Sequence, residues 1–439
     1  MNPQKLNEEV LAKITDAVSN LYNFRDHYFD NHPVNEATAK ITDISKELEK
    51  TLQLLDEHKE ECEKLDRAKY LMLKGRALNI TSDYSPEAFE VLSRAVKFNP
   101  KLVEAWNELG ECLWKKGDVQ GARNCFERAL KQCLNKTSLR NISMVLRQIS
   151  QEPKEKIRNI HESVEKAKEA VQMDLEDGLS WYILGNAYLN LFFVADQSPK
   201  ILKQSMSAYI RAMSDPAARS NPDLHYNRAV GLKYDEAYKE ALESFEKAAS
   251  LDPLWPEPVK TIEKIEKFLQ QTQQMVYNKG NQKARKLQNF LKSLKLHHLG
   301  PYGKDSSSSS TGRRHNTFQH IKLCQLLPGV NQGKVVLGKV VGNIVTEDEV
   351  PFSFCLVDED EACVSVTVYN IAEGKGVIIG DSVAIPDPDV HSVDFKYKDK
   401  HYQFTNIRVN TPLRLVVNGR VLSHDKHAAV RLDVTLTSQ

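Results

Sequence analysis

The 439-residue sequence predicts a mainly α chain ending in a small β barrel: a superhelical solenoid of about six helix-pair repeats behind an N-terminal helical cap, then a compact strand-rich domain. Three observations predict it. Small and aromatic residues recur between residues 67 and 275 with a period of about 34. Apolar residues in the first 66 positions recur at three- and four-residue steps, as on one face of a helix. After residue 317 the pattern switches to period two, in short runs separated by turn residues.

The cap, 1–66, carries Leu6, Val10, Ile14, Val18, Leu21, Phe24 and Tyr28, then Ile41, Ile44, Leu48, Leu52 and Leu55. Those spacings predict two amphipathic helices. Residues 1–65 hold 8 Lys/Arg and 14 Asp/Glu, a net charge of −6. Two roles are open: a coiled-coil hairpin that dimerises, or a pair that covers the open end of the repeats behind it.

Within 67–275 the clearest repeat is 103–134, with Trp106, Leu109, Gly110, Leu113, Ala122, Phe126 and Ala129. These are positions 4, 7, 8, 11, 20, 24 and 27 of the tetratricopeptide (TPR) motif. Gly110 and Ala122 belong where two helices cross closely, while Trp106, Leu109 and Phe126 fill the space between repeats. Segment 68–100 repeats the pattern with Gly75, Ala88, Leu92, Ala95 and Pro100. Segments 178–217 (Trp181, Leu184, Gly185, Tyr188, Tyr209, Ala212) and 222–253 (Ala229, Leu232, Ala241, Phe245, Ala248, Pro253) do so again. The stretch 136–174 fits weakly, and a terminal helix opens at Trp255-Pro256-Glu257-Pro258.

Residues 276–302 predict a basic helix, and 303–316, with Ser306–Ser310, a flexible linker. Across 276–304 stand seven Lys/Arg and no acid. In 317–439 the runs GKVVLGKVVGNIV, PFSFCLVDED, ACVSVTVYN, GDSVAIPDP and HYQFTNIRVNTPLRLVVNG give five strands. That number in so short a span suggests a Greek-key barrel of oligonucleotide-binding (OB) type.

Composition narrows function. The formal charge of +1 argues against a polycation that coats nucleic acid. Cys62, Cys112, Cys125, Cys133, Cys324, Cys355 and Cys363 are scattered without a CxxC or CxH spacing, so no structural zinc is expected. The chain shows no apolar leader, no apolar run long enough for a membrane, and no GxxxxGK[ST], HExxH, GxSxG or post-strand GxGxxG. Neither enzyme chemistry, a cofactor, a metal nor a membrane is therefore expected. The acidic run Asp358-Glu359-Asp360-Glu361 is placed at a solvated hairpin tip.

A TPR array lines a concave groove with its first helices. The repeat register puts Asn107, Glu111, Arg140, Arg147, Tyr182, Asn186, Asn190, Asp223 and Tyr226 on that face. Asp223 and Glu257 lie 34 residues apart, each just after a proline, so they present two carboxylates at one height on neighbouring helices. Arg147 offers a fork-shaped cation for a carboxylate or carbonyl. Such a mixed groove suits an extended peptide. On the basic segment, Lys279, Lys283, Arg285 and Lys286 favour a phosphate-rich partner. The barrel's Phe352, Phe354, Tyr369, Tyr397, Tyr402 and Phe404 are candidates to stack bases, although 12 Lys/Arg against 15 Asp/Glu make it a poor host for DNA.

The strings LVEAWNELGECLWKKGD (102–118), SMVLRQ (143–148), SWYILGNAYL (180–189), SNPDLH (220–225), LDPLWPEP (251–258) and VYNIAEGKGVIIGDSVAIP (368–386) carry a more specific likeness. On them the chain resembles the tetratricopeptide repeat protein five, or Strap, family of TPR–OB adaptors, across nearly its whole length. The resemblance implies a non-enzymatic adaptor of cytoplasm and nucleus. One implied activity lies at the ribosome, where the groove reads the N-terminal Met-Arg-Glu segment of nascent tubulin and triggers decay of tubulin mRNA. The other is a stress-responsive transcription cofactor in the DNA-damage response. It joins a CBP-type acetyltransferase, an actin-nucleating cofactor and the tumour-suppressor transcription factor, with DNA or chromatin met through the barrel and actin nucleation regulated in the cytoplasm. Carried over by position, the peptide-reading residues fall on Arg147, Asp223 and Glu257, and the ribosomal-RNA contacts on Lys283 and Arg285. The family pattern has Lys at the last of these.

Overall fold

The computed structural model describes residues 3–149, 152–195, 197–303, 318–345, 351–372 and 374–427. They form two compact units: the first runs to Asp235 and takes in Glu243–Val259, and the second takes Glu236–Leu242 and the chain from Lys260 onward.

The helices in chain order are α1 (Pro3–Asp26), α2 (Tyr28–Asn31), α3 (Lys40–Glu57), α4 (Lys59–Leu78), α5 (Pro86–Phe98), α6 (Val103–Lys115), α7 (Val119–Gln132), α8 (Lys136–Leu146), α9 (Pro153–Met173), α10 (Gly178–Val194), α11 (Pro199–Ala212), α12 (Pro216–Arg219), α13 (Pro222–Tyr234), α14 (Tyr238–Leu251), α15 (Glu257–Tyr277) and α16 (Ala284–Lys292). Their starts are written locally. The side chains of Ser85, Asp118, Asn135 and Asn221 accept backbone N–H groups of the first turn, and prolines occupy the first turn where the missing N–H is harmless. Helix α4 bends at Asp66 (φ −149°, ψ 91°), whose carboxylate accepts the N–H of Lys69 and restarts the helix. The bend falls at the expected end of the cap.

Cap and repeats share one core. Leu11, Ile14, Val18 and Leu21 of α1 belong to a continuous apolar cluster with Leu55, Leu73, Leu92 and Leu109. That face of α1 is buried inside the chain and is not available for a coiled-coil partner. Within repeats, the glycine at position 8 makes room for the second helix. A Cβ on Gly110 would sit 2.4 Å from Cε1 of Phe126, and one on Gly185 2.7 Å from Tyr209. The sequence pattern pairs Gly110 with Ala122. In the structure its neighbour is the Phe126 ring, with Ala122 fully buried nearby.

In the second unit the strands are β1 (Gln319–His320), β2 (Gly329–Val330), β3 (Lys334–Ile344), β4 (Phe352–Val357), β5 (Cys363–Val368), β6 (Ser382–Pro386), β7 (Asp389–Tyr397), β8 (Lys400–Val409), β9 (Val416–Val417) and β10 (Arg420–Val421). Strand β3 pairs antiparallel with β4 and β6, β4 with β5, and β8 with β7, while β5 and β8 run parallel. Only Asp387 and Pro388 separate β6 from β7, and Asp387 has φ +42°. The two are halves of one bent strand. Its first half pairs with β3 and its second with β8, which closes the sheet as an OB-type barrel. The sequence pattern marks only the first half, because HSVDFKY carries too many polar residues to announce a strand.

The basic helix expected over 276–302 is broken. After α15 come a 3₁₀ turn (Lys279–Asn281), the short α16 and a second 3₁₀ stretch (Leu296–Gly303). The cause is Gly280, at φ +69°, where a Cβ would lie 2.3 Å from the carbonyl oxygen of Val341 in β3. Leu287, Phe290 and Leu291 then pack on Val341, Ile344 and Val357, and Leu299 on Val335 and Val416. The basic segment is thus built onto the barrel. The linker expected at 303–316 lies outside the described residues except for Gly303.

Candidate peptide groove and basic face

Arg147 follows the last residue of α8 and is only 5% exposed. Its Nη1 donates at 3.4 Å to Ser143 Oγ and at 3.4 Å to the carbonyl of Ile183, both neutral and both long. Its buried Nε has no partner, and no carboxylate pairs with it among the described residues. Burial pushes its pKa down to about 10, against small opposing effects of Tyr182 and Tyr209. A guanidinium so desolvated and so thinly bonded is not arranged to hold the fold together.

Around it stands a polar network. Tyr182, Asn186 and Asn190 follow one another at four-residue steps on α10, and all three are buried. Asn186 Oδ1 accepts from Tyr209 Oη at 2.7 Å and from Asn227 Nδ2 at 3.1 Å, and Asn190 Nδ2 donates to the Asn186 carbonyl at 3.4 Å. Burial raises the Tyr182 phenol most and Asp223 raises it further, opposed by the hydrogen bond with Asn186 and then by Arg147. Arg147 and Asp223 therefore both lie within electrostatic range of one phenol. Asp223 is buried in the first turn of α13, where the helix dipole favours a carboxylate, while Glu257 is exposed in the first turn of α15. The register puts them at equal height without distinguishing these surroundings.

Other candidates are engaged within the fold. The Tyr226 ring packs against Phe245 at 5.2 Å and Trp255 at 4.6 Å, so it takes part in the packing between repeats. Asn107 accepts from Ser138 Oγ at 2.6 Å, Arg140 pairs with Asp177 at 2.6 Å, and Glu111 with Lys115 at 3.1 Å. The bonds of Asn107 and Arg140 join neighbouring stretches of the solenoid, whereas that of Glu111 stays within α6. Two groups escaped sequence reasoning. One is Asn227, four residues beyond Asp223 on the same face of α13. The other is Glu108, near Arg76 (3.3 Å), whose pKa burial first and Glu111 second push up to about 7. The cap reaches this end as well: Arg25 and Arg76 lie 4.6 and 4.5 Å over the ring of Tyr22.

In the second unit Lys283, Arg285 and Lys286 are exposed at the start of α16, where the positive end of the helix adds to their charge. Lys279 is engaged instead, 2.6 Å from Glu361. Asp358 is buried and accepts the N–H groups of Leu323 and Ala362, while Lys322 meets Glu359 and Asp360. The acidic run therefore secures its own hairpin and is not merely solvated. No cluster of three or more metal-ligating side chains occurs among the described residues. Phe354, Tyr369, Tyr397, Tyr402 and Phe404 are buried and Phe352 is half-buried, so these rings are packed too closely to serve as a base-stacking platform.

Residues 317–431 match the family model described as the tetratricopeptide repeat protein 5 OB fold domain, and 103–135 match a tetratricopeptide repeat model. The chain is 50% identical over 424 residues to tetratricopeptide repeat protein 5 of Mus musculus and to that of Bos taurus, covering 96% of each chain. It is 51% identical over 413 residues to the Homo sapiens protein of that name, covering 94% of this chain and 93% of that one.

Proposed function

The chain belongs to the tetratricopeptide repeat protein 5 family, and from that premise we propose that it is a cytoplasmic adaptor that reads the N-terminal Met-Arg-Glu segment of nascent tubulin at the ribosome and triggers decay of tubulin mRNA. The observation that carries the reading is Arg147, a buried guanidinium with a partnerless Nε and no carboxylate of its own, within range of the phenol that also faces Asp223. A peptide with adjacent basic and acidic residues answers both charges: its arginine meets the carboxylates of Asp223 and Glu257, and its acid or carbonyl meets Arg147. The exposed cations Lys283, Arg285 and Lys286 supply the phosphate-facing surface that attachment to ribosomal RNA requires.

The test is a titration of labelled Met-Arg-Glu peptide against the full chain, beside a Met-Glu-Arg peptide of equal charge. The reading expects at least about a tenfold preference for the first order and its loss in Asp223→Ala. Equal affinity for both orders in the folded wild type would overturn it.

A further inference from the structure

Tyr277, the last residue of α15, is 85% exposed, more than any other large apolar or aromatic side chain among the described residues. A lone exposed ring on a loose segment would mean little. This one stands on a fixed segment. Shortly after it, Lys279 (φ +48°), Gly280 (φ +69°) and Asn281 (φ +56°) all adopt the left-handed region. Two of the three carry side chains, so the turn holds backbone strain that its surroundings must over-determine. Four attachments do so. The Asn281 N–H closes the turn onto the Asn278 carbonyl at 2.9 Å, and Gly280 lies against the Val341 carbonyl. Gln282 Nε2 donates to that same oxygen at 2.7 Å, and Lys279 Nζ meets Glu361 at 2.6 Å. The ring is therefore carried at a point where the chain is tied to β3 and to the β4–β5 hairpin.

Its neighbours in the chain are of one chemical kind. Asn278, Asn281, Lys283, Arg285 and Lys286 are all exposed, and no acid occurs from 276 to 304. Lys283, at the N-cap position, makes no side-chain cap, so first-turn N–H groups of α16 are left for solvent or an anion. Three cations and such a helix end suit phosphate. An aromatic face beside them suits the base that a phosphate of unpaired RNA brings with it.

We propose that Tyr277 is a nucleobase-stacking residue: an unpaired base of an RNA partner lies on its ring, while Lys283, Arg285 and Lys286 hold the phosphates flanking that base. The inference rests on the phosphate-facing surface of the proposed function and adds a means of choosing among RNA phosphates. Cations alone bind paired and unpaired RNA alike. A fixed ring admits a base that has left its helix, because bases inside a duplex present no open face. The pinned turn presents the ring before RNA arrives, so little ordering is needed on binding.

The experiment titrates the full chain with three labelled RNAs of equal phosphate number: a single-stranded oligoadenylate, an abasic strand and a duplex. Wild type should bind the oligoadenylate about fivefold or more tightly than the abasic strand and the duplex. In Tyr277→Ala that preference should shrink to less than about twofold. Tyr277→Phe and Tyr277→Trp should keep it, since stacking needs the ring and not the hydroxyl. The salt dependence of oligoadenylate binding should be the same in Tyr277→Ala as in wild type, because no phosphate contact is lost. In Lys283→Glu its log–log slope should fall by about 0.7 or more. Melting curves of Tyr277→Ala should match wild type, since the ring is exposed. No preference for bases in wild type, or an equal preference in wild type and Tyr277→Ala, would overturn the inference and leave the cations as a plain phosphate-binding face. A wild type that binds none of the three RNAs would overturn the phosphate-facing surface as well.

Discussion

Replacing Arg147 by Met should make the unliganded protein more stable while removing its affinity for peptide. Met keeps the length and apolar stem of Arg and discards the guanidinium. Burial lowers the pKa of Arg147 from 12.5 to about 10. At 1.36 kcal/mol for each tenfold change, the charge is disfavoured by roughly 3 kcal/mol. Against this stand two 3.4 Å bonds to neutral oxygens, worth about 0.5 kcal/mol each at that length. The balance leaves a gain of about 1–2 kcal/mol on substitution. For a unit of this size that is a rise of about 2–8 °C in Tm. The peptide should lose more than tenfold in affinity, since its acidic group or carbonyl would meet a thioether in place of a charged fork. Thermal melts without ligand, paired with peptide titrations of the same samples, measure both halves. A Tm that falls by several degrees would refute the reasoning and make the guanidinium a structural group. Unchanged affinity with raised stability would remove Arg147 from the site.

Gly110→Leu drives a side chain into the Phe126 ring, which a single Cβ would already approach to 2.4 Å, and should cost about 3 kcal/mol or more in denaturant melts. Glu236 is fully buried and bonded by His391 (3.0 Å), Asn406 (2.9 Å), Tyr369 (3.1 Å) and Arg408 (3.4 Å), so Glu236→Ala should cost about 3–5 kcal/mol. Its pH signature follows from the two shifts. Burial raises the Glu236 pKa, yet His391 and Arg408 bring it below 4.5, while the bond to Glu236 raises His391 above 6.5. The carboxylate's contribution is present above 4.5 and lost as pH falls through its lowered value. The imidazole's is present below 6.5 and lost as pH rises through its raised value. Melts of wild type across pH 3–9 should therefore show a stabilising window from about 4.5 to 6.5 that Glu236→Gln flattens. Finally, Lys283→Glu with Arg285→Glu should weaken cosedimentation with ribosomes and reduce its salt dependence, leaving affinity for free peptide unchanged.

Wherever one residue type satisfies a local rule, the sequence alone suffices. Period-34 spacing marks the repeats because glycine at position 8 answers a steric demand that Gly75, Gly110 and Gly185 each meet against one large side chain. Helix starts are legible for the same reason: Asn221, Pro222 and Asp223 state the cap, the first turn and its favoured charge within three residues. The exposed cations of α16 need only their own charge to be noticed. What sequence could not supply depends on groups far apart in the chain. Whether Asn107 and Arg140 line a groove or join neighbouring helices turns on Ser138 and Asp177, more than thirty residues away. Gly280 breaks the basic helix because the Val341 carbonyl of another element stands where a side chain would go. Asp223 and Glu257 look alike at one repeat spacing, yet one is buried among its neighbours and the other meets solvent. Arg147 is identical in sequence to any surface arginine. Only tertiary packing removes its water without providing a counter-charge, and that sets it apart from a solvated one.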